Sequence, residues 1–478
     1  LGAAMLTAAF RAFGGEDLVR DFLNSLPGGF WSKFVIVMAV IFILGFFLDF
    51  IEIAVVVVPI VAPILLADPS ANVTAVWLGV MIGLNIQTSF LTPPFGFALF
   101  YLRGVAPAIV KTVSIYKGVV AFIVLQLVAL GIVGLYPNLV NYLPNRMSLT
   151  SESSPPPRNP RLQYCVEKYV ADQFAANGEV IRAAITQAST LDLAVLPKNL
   201  SSDMKRSFGD ATKSMTLLDE AFEKEEIARA AEADYRPMHT VVRRLQRQMR
   251  EADAETKELK TLLSRLRGDN DAAERQKLEQ HIAELGHAKE ALAVKIPADW
   301  QAINKTFKKL KKDERTARLK YRRAADNAYG PVQKVMKTLA GNDAFISLKG
   351  ELAAMRKRVE SDPEAELVTP LKVLGEKFGL IEGASSVKGK ISKARRVLKG
   401  KTPDRARALK AMDNALKAYD KEMVWRGNDF AALLAGVNVY EGSIKGSIGI
   451  RQQDRLTHDQ ALFVASCGAG HRDISLSF

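Results

Sequence analysis

The sequence predicts an all-α protein in two parts: polytopic membrane helices with a re-entrant hairpin and a proline-broken helix, then a soluble helical, coiled-coil tail. Charge is sharply divided between the parts. Residues 1–150 hold seven Lys/Arg and six Asp/Glu, whereas residues 151–478 hold 58 and 45. Long apolar runs fill the first part, and apolar residues at helical spacing recur in the second. Such a division indicates a membrane part joined to a water-exposed part.

The ends and cysteines of the chain add little. The sequence opens at Leu1 inside an apolar stretch, without a charged segment or a cleavage site, so we expect its natural beginning to be missing. Cys165 and Cys467 are too few for a disulfide framework and indicate no compartment. The net charge of +14 makes anionic lipid or nucleic acid conceivable as a tail partner, but a basic balance alone is weak support.

Residues 34–66 predict a hairpin of two half-length helices. Asp49 and Glu52 are the only charged residues between Phe34 and Leu66, and they lie at the centre. Arms of roughly 14 residues, at about 1.5 Å per residue, are too short to cross a hydrocarbon core of about 30 Å. The pattern therefore favours a re-entrant hairpin, and two fully crossing helices are the alternative.

Residues 76–104 predict a helix that is broken inside the membrane. Its centre is polar and reads Asn85-Ile86-Gln87-Thr88-Ser89-Phe90-Leu91-Thr92-Pro93-Pro94-Phe95-Gly96. Two consecutive prolines cannot continue an α-helix. The free backbone groups and half-helix dipole ends at such a break can bind Na⁺ or an anionic substrate. The alternative is a kinked scaffold helix whose polar side chains bond to their neighbours.

Asp49 and Glu52 allow more than one interpretation. Ionisable groups at membrane depth are costly and usually functional, and carboxylates are suitable ligands for a hard cation. If the hairpin tip reaches the interface, however, both acids are simply solvated. Asp49 is equally able to cap the second arm by accepting a hydrogen bond from a free amide at its start.

Residues 119–136 form a plain apolar segment that can span a membrane once. Residues 103–117 carry three positive charges and no acid, so this loop is predicted to be cytoplasmic. The hairpin then enters from outside, and the last span delivers the tail to the periplasm of a Gram-negative cell. We expect a multi-pass protein of the bacterial inner membrane.

Three short motifs follow one another along the membrane part: Gly45-Phe46-Phe47-Leu48-Asp49, Pro59-Ile60-Val61-Ala62-Pro63 and Thr92-Pro93-Pro94-Phe95-Gly96. At these positions the sequence resembles the large permease (DctM-like) subunit of tripartite ATP-independent periplasmic (TRAP) transporters. Residues 85–90 and 99–107, around the third motif, are similar to the mannitol/chloroaromatic-type branch. The resemblance covers residues 1–144 and identifies them as the C-terminal membrane part of that subunit.

The resemblance implies a secondary transporter with inverted repeats that imports an organic acid, a dicarboxylate or related carboxylate, on a sodium gradient. Na⁺ would be the coupling ion, and no other cofactor is expected. The implied partners are a small TRAP membrane subunit, a periplasmic substrate-binding protein and the lipid bilayer. The hairpin and the broken helix would jointly hold sodium and substrate in an elevator-like moving domain, with backbone carbonyls as most of the sodium ligands.

The resemblance also implies site residues, which are carried over by position. They are Gly45, Asp49, Asn85, Gln87, Thr88, Thr92, Pro93 and Gly96. Glu52 and Ser89 join them because they lie at the same hairpin tip and the same polar break. No catalytic residue and no metal besides Na⁺ is expected. Two features depart from the family: its first repeat is absent from this chain, and this chain continues far beyond Pro144.

Residues 145–160 are rich in Ser and Pro and predict a linker, and residues 161–478 predict a charged helical tail. Within the tail, apolar residues recur at three-to-four spacing over 239–267 and again over 278–292. Gly268-Asp269-Asn270 separates the two runs, which indicates an antiparallel, coiled-coil-like helical hairpin.

Two tail features have competing interpretations. Residues 304–327 predict a helix with a basic face. That face contacts anionic lipid or nucleic acid, or it is simply exposed to solvent. The acidic residues nearby favour the solvent-exposed alternative. Cys467 with His471, and His458 with Asp459, lack a fuller ligand set, so an ordinary terminus is predicted in place of a metal site.

Together these features predict a transporter subunit with an accessory tail of unknown partner. The alternative is a membrane-anchored coiled-coil protein with a structural or interaction role. A plain anchor needs one uniform apolar helix and has no use for Asp49, Glu52 or the break at 85–96. Paired catalytic groups are not found, so an enzyme is not expected, although an intramembrane enzyme using Asp49 stays open.

Overall fold

A computed structural model describes seven ranges of the chain: 2–26, 29–68, 70–93, 97–107, 109–266, 272–400 and 402–477. Throughout these ranges the regular structure is helical and no strand is found, which confirms the all-α prediction for them. The chain forms two compact units. The first contains Leu1–Asp172 together with Ile450–Phe478, and the second contains Gln173–Gly449. Both ends of the predicted tail, residues 161–172 and 450–478, thus belong to the unit that contains the predicted membrane part.

The first unit begins with a series of helices that are mostly short and apolar. They are α1 (Gly2–Ala12), α2 (Gly15–Ser25), α3 (Gly29–Leu44), α4 (Phe50–Glu52), α5 (Val58–Leu66), α6 (Ala75–Leu91), α7 (Phe97–Val105), α8 (Thr112–Leu135) and α9 (Asn138–Leu149). A π-helical turn, Ile53–Val57, joins α4 to α5. Pro59 follows that turn and has no N–H to donate, which disfavours regular α-helical bonding there.

The predicted hairpin region folds as two short helical arms, α3 and the continuous run from α4 to α5. Lys33, near the start of α3, and Asp68, just after α5, form an ion pair with an Nζ–Oδ2 distance of 3.0 Å. Their side chains are 10% and 13% exposed, so this pair is largely withdrawn from solvent. The outer ends of the two arms therefore lie together. That the hairpin is re-entrant in a membrane stays a prediction.

The core of this unit is centred on Trp77 in the first turn of α6. Its side chain is fully buried and packs with Phe34 of α3. Its indole Nε1 donates to the carbonyl of Val133, near the end of α8, over 3.0 Å. A buried Trp needs such a partner for its N–H. These contacts hold the start of α6 next to the outer end of the hairpin and the end of α8.

Among the described residues, α8 is the one helix long and apolar enough to cross a membrane by length and composition. Side chains such as Phe122 and Leu125 are 63% and 66% exposed, as expected of a surface that faces lipid. The other apolar helices, α3, the α4–α5 run and α6, have 10–17 residues. Helix α9 continues through Pro144 to Leu149, so the first residues of the predicted linker are helical.

The second unit is built on two long helices, α11 and α13. Helix α10 (Pro160–Ser189) begins in the first unit and ends in the second. The helices that follow it are α11 (Lys198–Arg265), α12 (Ala272–Val294), α13 (Trp300–Ala340), α14 (Asn342–Ser347), α15 (Lys349–Ser361), α16 (Glu364–Gly379), α17 (Ser385–Lys399), α18 (Arg405–Arg426) and α19 (Ala431–Lys445). Helices α11 and α13 pack against each other, and both bury alanines, including Ala221 and Ala325. Helices α15–α18 enclose a second core around Phe345, Phe378 and Tyr419.

The predicted tail hairpin corresponds to the end of α11 and α12, which pack together. No described side chain of α12 is buried, so the arm is polar and solvated; its coiled-coil character stays a prediction. Gly268-Asp269-Asn270 lies outside the described residues. In the predicted basic helix, now part of α13, Lys311 pairs with Glu314 over 2.7 Å. The Lys311 Nζ also lies 4.0 Å from Glu232 Oε1 of α11, so at least this cation takes part in an ion pair between tail helices.

Candidate functional site

The hairpin tip and the polar end of α6 meet at Gly45 and Ser89. Gly45 is buried, and a Cβ added there would lie 2.0 Å from the Ser89 Oγ and 2.8 Å from its Cβ. No side chain fits into that space, so glycine is what permits the approach. Two residues that the sequence placed on separate segments, 44 positions apart, are thus brought into direct contact.

Asn85 ties the same two segments together one turn earlier. Its side chain is 4% exposed, and Nδ2 donates to the carbonyl oxygen of Met38 in α3 over 2.8 Å. A buried amide that reaches across to another helix replaces the water it has lost and fixes the two helices in register. Asn85 therefore has a structural role in this site, beside any contact with an ion.

Three hydroxyl side chains line the last turns of α6 on the face shared with Asn85. Thr88, Ser89 and Thr92 each donate over 2.8 Å to a backbone carbonyl three or four residues earlier. A hydroxyl that donates its proton still has lone pairs to offer a cation. Residues at this spacing share one helix face. Helix α6 ends at Leu91, and the negative end of its dipole attracts a cation there.

The acidic residues of the hairpin tip have different surroundings. Asp49 Oδ1 accepts a hydrogen bond from the Phe50 amide over 2.7 Å, so Asp49 caps α4. This is the capping role that the sequence left open. Glu52 is exposed, and so is Gln87 on the far side of α6. The structure therefore does not bring these two side chains into the contact between Gly45 and Ser89.

The remaining predicted site residues lie at the break between α6 and α7. Pro93 is half-buried, and Gly96 lies outside the described residues. Since α7 begins at Phe97, the C-terminal end of one helix and the N-terminal start of another flank the break. Such an arrangement can offer carbonyls to a cation and amides to an anion. Within the described ranges, no cluster of His, Cys, Asp and Glu has metal-binding geometry.

Sequence reasoning missed two pairs of residues that shape this unit. It counted Lys33 and Asp68 only as charges and did not pair them. It assigned no partner to either cysteine, yet Cys165 and Cys467 form a disulfide with a Cα–Cα distance of 5.7 Å. The disulfide also removes Cys467 from any metal site. The one signal in the sequence was that these are its only two cysteines.

Comparison with known proteins points to the membrane part alone. Residues 1–139 match the family model described as tripartite ATP-independent periplasmic transporter, DctM component. The sialic acid TRAP transporter permease protein SiaT of Haemophilus influenzae (strain 86-028NP) is 33% identical over 127 residues, which cover 27% of this chain and 20% of that protein. The chain thus spans about a fifth of the length of this curated relative. No solved structure matches the chain.

Proposed function

We propose that residues 1–144 form the C-terminal membrane part of a TRAP large permease, a multi-pass protein of the bacterial inner membrane and not an enzyme. The observation that carries the proposal is the contact between the hairpin tip at Gly45 and the broken helix at Ser89. A plain anchor has no need to bring a hairpin tip against a polar helix end. The family match over residues 1–139 supports the same conclusion.

In the proposed mechanism, the polar end of α6 holds Na⁺. Backbone carbonyls at that end supply most ligands, and the hydroxyl oxygens of Ser89 and Thr92 add to them. The start of α7 is the positive end of that helix dipole. It would receive the carboxylate of an organic acid. Because bound Na⁺ offsets the charge of the carboxylate, each is held more tightly when the other is present. This linkage would couple uptake to the sodium gradient.

The remaining parts of the proposed transporter lie outside this chain. A periplasmic binding protein would deliver the substrate, and a small membrane subunit would support the large one. The chemical class of the substrate is an organic acid, and the matched relative is named for a carboxylic acid of that kind. The mannitol/chloroaromatic-type branch and the choice of a dicarboxylate are parts of this proposal that the residues around 85–107 suggest.

A second candidate function is a membrane-anchored helical interaction protein. One observation favours it: α8 is the one described helix that is both long and apolar enough to span a membrane, and a large helical unit follows it. In that case the hairpin and α6 would serve packing alone, and their polar residues would tolerate replacement provided that the fold is kept.

The test is uptake of radiolabelled organic acids by proteoliposomes that contain this chain with the remainder of the large subunit, the small subunit and the binding protein. We expect uptake to require an inward sodium gradient, and Thr92→Ala to lower it at least about tenfold because a ligand oxygen is lost. Thr150→Ala is the matched control, since Thr150 follows the end of α9, outside the site, and its hydroxyl makes the same kind of backbone bond, to the Arg146 carbonyl.

Asp49 is tested with two replacements, because Asn keeps the capping acceptor and removes the charge, whereas Ala removes both. If Asp49 only caps α4, Asp49→Asn transports normally and Asp49→Ala does not. We expect Asp49→Asn to need more sodium for half-maximal uptake.

A well-folded preparation that takes up no organic acid, with or without sodium, would instead favour the anchored interaction protein.

A further inference from the structure

The two ends of the tail lie next to each other in the structure. Cys165, near the start of α10, and Cys467, at the end of α20 (His458–Cys467), are joined by a disulfide across 302 positions of sequence. Both belong to the unit that contains the membrane helices. Between them in sequence lies the whole second unit, Gln173–Gly449.

Residues 458–473, here called the C-terminal cap, are held by more than this disulfide. Arg161 donates through one Nη2 to the carbonyls of Gly468 and Gly470, each over 2.7 Å. At Gly468 a Cβ would lie 2.4 Å from Leu162, so the two segments are in close contact. Beside them the Tyr169 and Phe463 rings pack edge to face at 5.3 Å.

The C-terminal cap also contacts the membrane helices directly. Asn141 of α9 is 2% exposed; its Nδ2 donates to the Ala469 carbonyl over 2.9 Å. Its Oδ1 lies 2.5 Å from the hydroxyl of Thr74, the residue that caps α6. The His471 ring packs edge-on against Trp77 with ring centroids 4.8 Å apart. The cap therefore sits over the start of α6.

The state of His471 fits this buried position. Burial lowers the pKa of His471 to about 4, and the charge of Arg161 acts in the same direction. The ring is therefore neutral at physiological pH and packs on Trp77 as a weakly polar aromatic group.

We propose that the Cys165–Cys467 disulfide fastens the C-terminal cap onto the extracytoplasmic ends of the membrane helices, which makes the tail an extracytoplasmic domain attached at both ends. Disulfides persist in oxidising compartments and are rare in the reducing cytosol. The end of the membrane part that carries the cap is the hairpin-base end, marked by Trp77. The basic loop 103–117 independently predicts the same orientation, since it favours the cytoplasmic side.

The chemistry of closure is ordinary thiol oxidation. The two thiols lose two protons and two electrons to a protein disulfide of the thiol-oxidase class, through a mixed disulfide, and that oxidant is left as a dithiol. The proposal rests on the membrane insertion in the proposed function but not on transport, and its test reads no transport signal.

The test is limited trypsin digestion of intact spheroplasts that express the full chain, with free thiols blocked by N-ethylmaleimide before lysis. We expect trypsin to cut within residues 173–449 from outside. The fragments should stay together on a gel without reductant and separate when a reductant is added. Cys165→Ser is the matched control and should give separate fragments without reductant. If that variant does not accumulate, the comparison of the wild type with and without reductant still decides.

Three results would overturn the proposal. Cleavage that occurs only after lysis would place the tail inside the cell. Wild-type fragments that separate without reductant would show that the thiols are free. A disulfide-linked dimer would show pairing between chains.

A second measurement tests whether the disulfide fastens the C-terminal cap. Amide hydrogen exchange over 461–469 should become at least about tenfold faster in Cys165→Ser, and exchange over 385–399 should stay unchanged. Unchanged exchange at the cap would mean that the disulfide does not fasten it.

Discussion

Replacing Gly45 with Ala is expected to separate the hairpin tip from α6 and to lower sodium-dependent uptake at least about tenfold. The new Cβ would lie 2.0 Å from the Ser89 Oγ, a separation that atoms do not adopt. Ser89 is fully buried, so its side chain has little room to move. One of the two segments must shift, and the predicted ligand groups shift with it. Uptake by proteoliposomes measures the loss of transport. The thermal stability of the purified transporter in detergent measures the loss of packing between the hairpin tip and α6.

Two further variants make this prediction specific to the contact. Gly83 lies on α6, the helix of Ser89, and has no atom within 4 Å of an added Cβ, so Gly83→Ala should transport normally. Ser89→Gly removes both clashing atoms, so the double variant with Gly45→Ala should regain much of the lost thermal stability, while uptake stays low because a proposed sodium ligand is absent. Helical glycine costs about 1 kcal/mol, so recovery should be incomplete. Equal behaviour of Gly45→Ala and Gly83→Ala would contradict the contact on which the proposed function rests.

Replacing Arg318 with Met is expected to destabilise the pairing of α11 with α13 by about 3–5 kcal/mol, because it removes the guanidinium that pairs with a buried carboxylate of the other helix. Arg318 Nη2 lies 2.6 Å from Glu225 Oε2, and these side chains are 11% and 10% exposed. Arg318 Nε also reaches Glu314 over 3.3 Å. Amide hydrogen exchange in peptides from the centres of α11 and α13 measures the loss as a local free energy of opening.

The matched control is Arg229→Met on the exposed side of α11. Arg229 and Glu226 lie at the same 2.6 Å, but their side chains are 68% and 62% exposed. An exposed pair contributes only about 0–1 kcal/mol, so this variant should exchange almost as the wild type does. Glu225→Leu combined with Arg318→Met should restore part of the protection, since an apolar pair replaces the ionic one. Equal effects of the two Arg variants would show that Arg318 is not buried as described.

This ion cluster also gives tail stability a pH dependence. Burial alone would raise the pKa of Glu314, but hydrogen bonds and charges of Lys311 and Arg318 outweigh it, and the pKa is lowered. A carboxyl group whose pKa is lower in the folded state contributes stability above its unfolded pKa and loses it on acidification. The wild-type α11–α13 pairing should therefore weaken as the pH falls below about 4.5, and less of this pH dependence should remain in Arg318→Met.

Local physical rules were enough for the outline of both parts. Two adjacent prolines cannot continue a helix, and in the structure α6 ends at Leu91, just before them. Apolar periodicity identified the tail as helical because the period reflects one chain segment at a time. Eight of the ten predicted site residues were carried over by position from the family resemblance, and Glu52 and Ser89 were added because they are neighbours in sequence. The structure joins Gly45, Asn85 and Ser89 in one contact region and leaves Glu52 and Gln87 exposed outside it.

By itself the sequence determined the all-α class, the division of charge and the position of the break, since each depends on residues a few positions apart. Only the tertiary structure decided which distant groups meet. Lys33 pairs with Asp68, and Arg318 pairs with Glu225. Cys165 joins Cys467 across 302 positions. A local pattern carries no information about such partners, because burial and charge pairing are settled by packing between elements and not by the order of residues within one.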